Sequence, residues 1–171
     1  RPGANAALGF ALAAKAQPDG HTLLQAHLSP VALNPVLQRE KSYDPVRDFA
    51  PVAMLAGSTS VLTVRAELPI RSVQELIDFA RAKPGSLSYG SIGTGSTTHL
   101  AGEMLGMMAG INLLHVPYKG AAPVVTEMLG GHIAMAVIGI SIVMPHVQTG
   151  KLRALAVSRS RRSALMPELP T

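Results

Sequence analysis

The chain has 171 residues, of which 47% are apolar and 15% charged, with a net charge of +5 and no cysteine. That length suits one well-cored domain, or one domain with part of another, and excludes two full domains. Missing cysteines exclude disulfides and thiolate chemistry without fixing a compartment, and aromatics at 4% with no Trp leave few platforms for stacking nucleic-acid bases.

In chain order, residues 4–16 read as a helix closed by the turn Pro18-Asp19-Gly20. Residues 21–27 read as a strand and 31–37 as a short helical piece. A loop with Tyr43, Asp44 and Pro45 follows, and then extended segments over 52–55 and 60–64. Gly57-Ser58-Thr59 between them is an expected hinge. The spacing predicts a helix over 72–83, opened by a capping box of Ser72 and Glu75 and ended by Pro84-Gly85. A strand over 87–90 leads to a helix over 97–109, whose Leu100, Met104, Met107 and Met108 fall at core spacing. Strands over 113–116, 133–138 and 152–157 alternate with helices over 121–129 and 142–148, and Gly110, Gly130-Gly131 and Gly150 stop the helices. Alternation of this kind predicts an α/β protein with a largely parallel sheet.

The informative stretch is Tyr89 to Leu100, Y-G-S-I-G-T-G-S-T-T-H-L, placed between a strand and a helix N-terminus. Glycines let the backbone turn tightly and approach a ligand, while first-turn N–H groups and the helix dipole favour an anion. A plainer reading stays open beside it, a Gly/Ser turn in which Ser96 or Thr97 only caps the helix. The segment lacks the third spaced glycine, the acidic residue some twenty positions on and the Gly-Lys-Ser/Thr that nucleotide fingerprints need. No G-x-S-x-G elbow, H-E-x-x-H pair or close carboxylate pair occurs, so hydrolase, metalloprotease and glycosidase templates lack their residues. The six histidines never fall at i, i+4 spacing and no metal site is expected. His99, in the first turn after the loop, is the one placed to line a site.

Seven ordered blocks then identify a family resemblance. R-P-G-A-N at 1–5, K-A-Q-P-D-G-H-T-L-L at 15–24, N-P at 34–35 and Y-D-P-V-R-D-F-A-P-V at 43–52 are followed by the Tyr89 block extended through Glu103, H-V-P-Y-K-G at 115–120 and G-K-L-R-A-L-A-V at 150–157. Together they resemble the receptors of tripartite tricarboxylate transporters, the Bug receptors. The resemblance implies a periplasmic-binding-protein type II-like fold, not an enzyme and without a cofactor, whose two α/β lobes close on a small organic carboxylate and pass it to membrane permease subunits. Periplasmic localisation follows from it, with any signal peptide outside this sequence. It also implies that further family segments precede Arg1 and follow Thr171, so that residues 1–58 are part of the first lobe, 59–158 the whole second lobe and 159–171 a return toward the first. Ser91, Gly93, Thr94, Gly95, Ser96 and Thr97 match the ligand-facing loop, Ser29 a cleft position and Tyr118 a second loop, where Lys119 is solvated or adds charge. Ile138-Gly139 stands where many relatives are acidic, which favours a plain carboxylate over an amino acid. Half a lobe with open strand edges and an uncovered apolar face predicts a dimer. An enzyme or sensor on a similar scaffold, or a truncated remnant without binding activity, are the competing expectations.

Overall fold

The computed structural model describes residues 6–37 and 42–171. The start of the helix expected over 4–16 lies outside these residues; its described part, α1, spans Ala7–Ala13. Ser29–Leu33 form a π-type turn, in which the Asn34 N–H donates to the Ser29 carbonyl, and α2 spans Asn34–Leu37. Residues 21–27, expected as a strand, and 52–55, expected as extended, contain no strand. A strand exists only by ladder pairing with a neighbour, and among the described residues nothing pairs with either segment. A small cluster of Ala7, Phe10 and Tyr43, with Phe49 and Leu24 against it, holds this first unit together.

From Ser60 onward the chain builds one sheet. Strands β1 (Ser60–Arg65), β2 (Ser88–Ser91), β3 (Leu114–Pro117), β4 (Met135–Gly139) and β5 (Leu152–Val157) lie in the order β3-β2-β4-β1-β5. β2 is parallel to β3 and β4, whereas β1 is antiparallel to both β4 and β5. The largely parallel sheet expected from the alternating pattern is therefore a mixed one. Chain direction is not a local property: β1 leads through α3 (Val73–Ala82) to β2 without being its neighbour, since β4 sits between the two strands.

Helices cover both faces. Leu76 and Ala80 of α3 pack on one face with Leu62, Val64, Met135 and Val137, and Ala101 and Leu105 of α4 (Thr97–Ala109) join them. Val124, Val125 and Met128 of α5 (Ala121–Leu129) and Ile140 and Val143 of α6 (Ile140–Gln148) cover the other face, against Val61, Ala136 and Ile138. Residues 135–138 are apolar without interruption because alternate side chains enter two different cores. α3 opens as its capping box predicts: the Ser72 hydroxyl accepts the Glu75 N–H at 3.1 Å. The reciprocal bond goes one residue upstream, from the Arg71 N–H to the Glu75 carboxylate.

One expectation for α4 is corrected. Met104, Met107 and Met108 are 53%, 77% and 80% exposed, so this stripe is not core. The buried face of α4 instead carries Thr98 and Gly102. A Cβ on Gly102 would collide with the Tyr89 ring, so glycine is what lets the helix settle onto β2. The closing segment packs on the sheet unit: Met166 and Leu169 enter the core under α5 and α6, and the Val157 N–H donates to the Pro170 carbonyl at 2.8 Å.

Candidate functional site

β2, β3 and β4 run parallel, so the loops leaving their carboxyl ends share one edge of the sheet. The loop after β2 leads to α4 on one face, and the loop after β4 leads to α6 on the other. Between two such diverging loops an open α/β sheet leaves a crevice at the strand ends, the usual place for a ligand. Three helix N-termini, of α4, α5 and α6, meet this edge, and none has an acidic residue in its first turn. α5 and α6 start at Gly120 and Gly139 with no side-chain cap bond. Each N-terminus favours an anion by about 0.3 to 1 kcal/mol, and Lys119, exposed beside α5, adds a formal cation.

The loop from Ser91 to Thr97 is held from within. Gly93 and Gly95 have φ of 136° and 77°, backbone that non-glycine residues adopt only under strain. The Gly93 N–H donates to Ser91 Oγ at 3.2 Å, the Ile92 N–H to Thr98 Oγ1 at 2.9 Å and the Gly95 N–H to His99 Nδ1 at 3.1 Å. Ser96 caps α4, its Oγ accepting the His99 N–H at 3.2 Å. The Thr97 N–H donates across the chain to Ser29 Oγ at 3.3 Å, which ties the π-type turn of the first unit to the start of α4. These amides were expected to stand unpaired. They are instead bonded to hydroxyls and an imidazole: for Ile92, Gly93 and Gly95 the acceptor lies a few residues away, because polar side chains in a tight bend reach the nearest backbone, and for Thr97 it is the distant Ser29.

The sequence-derived residues thus divide into two layers. Ser29, Ser91 and Ser96 are buried and shape the loop, whereas Thr94 is exposed and Gly93, Gly95 and Thr97 are half-buried at its surface. Tyr118 is joined to the loop through its backbone, the N–H donating to the Ser91 carbonyl at 2.9 Å. Its phenol is pushed above its usual range by burial and then by Glu127 on α5. His99 is half-buried, with Nδ1 turned to the Gly95 N–H. Its ring lies 4.0 Å, centroid to centroid, from that of His115 on β3, which in turn stacks on Tyr89 at 4.9 Å. His115 Nε2 is 2.7 Å from Ser91 Oγ, and Tyr89 donates its hydroxyl to Glu103, whose carboxylate lies 3.7 Å from His99 Nε2.

His115 and Thr98 were not picked out from the sequence. The H-V-P-Y-K-G block contains His115, but only the register Tyr89↔His115 places it under the loop. Among the described residues no group of three or more His, Asp or Glu side chains could hold a metal ion, and no helix is long and apolar enough to cross a membrane. A concavity of about 280 Å³ lies at the C-terminal half of α4, lined by Gly106, Met107 and Leu113 among others, and includes none of the loop residues.

The family model "Tripartite tricarboxylate transporter family receptor" matches residues 1–171. A Cupriavidus necator protein, "UPF0065 protein in gbd 5'region", is 40% identical over the whole of this chain, which covers 51% of that protein. A Rhodopseudomonas palustris structure described as "with adipate" is 34% identical with a TM-score of 0.95, covering 100% of this chain and 57% of its own. MatC from Rhodopseudomonas palustris with bound malate is 27% identical with a TM-score of 0.86, covering 99% and 57%. Other solved structures at 38% and 30% identity are described as periplasmic. The chain thus spans about half the length of these relatives, with the type II solute-binding fold as one lobe plus part of another. The matched proteins are solute-binding receptors and not enzymes. With a family model matched from end to end and the carboxyl edge of a sheet ringed by helix N-termini, the chain belongs to the tripartite tricarboxylate transporter receptor family.

Proposed function

We propose that the protein captures a small organic carboxylate outside the cytoplasm, at the bend Gly93–Thr97, and delivers it to the membrane permease subunits of a tripartite tricarboxylate-type transporter in the periplasm. The convergence of three unacidified helix N-termini on the crevice between β2 and β4 carries this reading. Adipate and malate, present with two relatives, are small dicarboxylates of matching charge. Thr94, Gly93, Gly95 and Thr97 form the contact surface, with Ser91 and Ser96 behind it. A carboxylate is a stronger acceptor than a serine hydroxyl, so it replaces Ser29 Oγ on the Thr97 N–H. Ile138 and Gly139 put no charge at the end of β4 to hold an ammonium group, which favours ligands without an amine.

The test follows the backbone amide resonances of Gly93 to Thr97 while adipate, malate, succinate, citrate or an aromatic carboxylate is titrated into the protein. Shifts confined to this bend and to Ser29, saturating at about millimolar or better, are expected; millimolar affinity corresponds to about 4 kcal/mol. A folded protein whose bend resonances ignore every carboxylate would sink the proposal.

A further inference from the structure

We infer that His99 and His115 act as a proton-sensitive positioning pair for the carboxylate loop, which holds its shape only while the His99 ring is uncharged. The inference concerns the bend assigned above to ligand capture, and goes beyond that reading because it adds a control on it. Two glycine amides of the bend are fixed by two imidazoles. Gly95 donates directly to His99 Nδ1 at 3.1 Å, and Gly93 donates at 3.2 Å to Ser91 Oγ, which is itself 2.7 Å from His115 Nε2. An acceptor at Nδ1 requires the neutral tautomer with its proton on Nε2. Adding a proton places an N–H where the Gly95 N–H already points, so two donors face each other and the bond is lost. Gly95, at φ 77°, is the residue whose conformation this bond holds.

The groups around the His99 ring define how the pair takes up charge. Glu103 on the same helix lies 3.7 Å from Nε2, His115 on β3 is stacked 4.0 Å away, and Tyr89 on β2 donates to Glu103. Two imidazolium rings at that spacing repel each other, so a charge on one opposes a charge on the other. Burial, and then the neighbouring His99, draw the His115 pKa below its usual value against the opposing pull of Glu103. The sign follows directly: the loop is ordered while Nδ1 accepts the Gly95 N–H and loosened once Nδ1 carries a proton. A cation merely attracting an anionic ligand would have the opposite sign.

The experiment has a ligand-free arm and a ligand arm. Without ligand, the Gly95 amide and the His99 ring nitrogens are followed by NMR from about pH 7.5 to about pH 5.5, the span over which histidines change charge. Wild type is expected to lose the Gly95 hydrogen-bond shift together with the change at Nδ1. His99→Asn, whose amide oxygen replaces Nδ1 as acceptor without titrating, is expected to show a flat Gly95 profile. With malate as probe, wild-type affinity is expected to fall about five- to tenfold across the same span, as for the loss of one such bond, while His99→Asn loses this slope whatever its affinity at the upper end. Gly95 shifts that do not follow His99, or affinity that rises on acidification, would overturn the inference. Failure of malate to bind at any pH would count against the functional reading and leave the ligand-free arm decisive here.

Discussion

Ser96 works entirely inside the loop. Its side chain is fully buried, accepts the His99 N–H and lies 3.0 Å from Thr98 Oγ1, and that oxygen in turn takes the Ile92 N–H. Removing one hydroxyl leaves a helix amide without its cap and strips Thr98 of a partner. Ser96→Ala is therefore expected to cost about 1 to 2 kcal/mol, read as a lower urea midpoint with unchanged slope; a shift within experimental error would show that the cap bond does not stabilise the helix. At this scale the sequence was legible where bonds are local. Its two readings of the bend, cap and anion cradle, separate in space: Ser96 is the cap, and Thr94 with the glycines forms the surface proposed to meet ligand. His115 was illegible because it is sixteen positions from His99 and meets it only through sheet register.

Elements whose ends carry their own chemistry were read from sequence to within a residue or two. Gly110 at φ 63° stops α4 where expected, and Ser72 opens α3. Elements that depend on distant partners were not: residues 21–27 have strand composition but no ladder, and β1 runs opposite to its neighbours for reasons outside its six residues. The Met stripe of α4 failed differently. Met104, Met107 and Met108 keep helical spacing, but the face that meets the sheet is set by Gly102 over Tyr89, which turns Met107 and Met108 outward. An apolar stripe locates a helix without saying which neighbour it faces. Met107→Gln is expected to change stability by no more than about 0.5 kcal/mol, as exposed substitutions do, where a buried Met would cost several times more. Thermal unfolding of the two proteins separates these outcomes.

Across the whole molecule, apolar burial is uneven. The sheet unit encloses two cores, one on each face, while the described part of the first unit has only the aromatic cluster of Phe10, Tyr43 and Phe49, with ring centroids 5.1 to 6.2 Å apart. Leu23, Val36, Val46, Val52, Met54 and Leu55 are each at least 80% exposed, all within the first 58 residues. Open strand edges, the route to a dimer expected from sequence, are corrected by the structure, since the described part of this unit contains no strand. Its apolar side chains remain a reason for association: at about 25 cal/mol per Å², hiding even a few hundred Å² of such surface favours contact by several kcal/mol before the entropy of association is set against it. Scattered apolar residues are ordinary on a protein surface, but a concentration on one unit is a different case. Self-association at micromolar concentration is therefore expected in sedimentation velocity, weakened by Val52→Ser combined with Met54→Ser, because those two side chains are 84% and 91% exposed and their replacement disturbs no core. A compact monomer at that concentration, unchanged by the double substitution, would show that this surface is too dispersed to act as one patch.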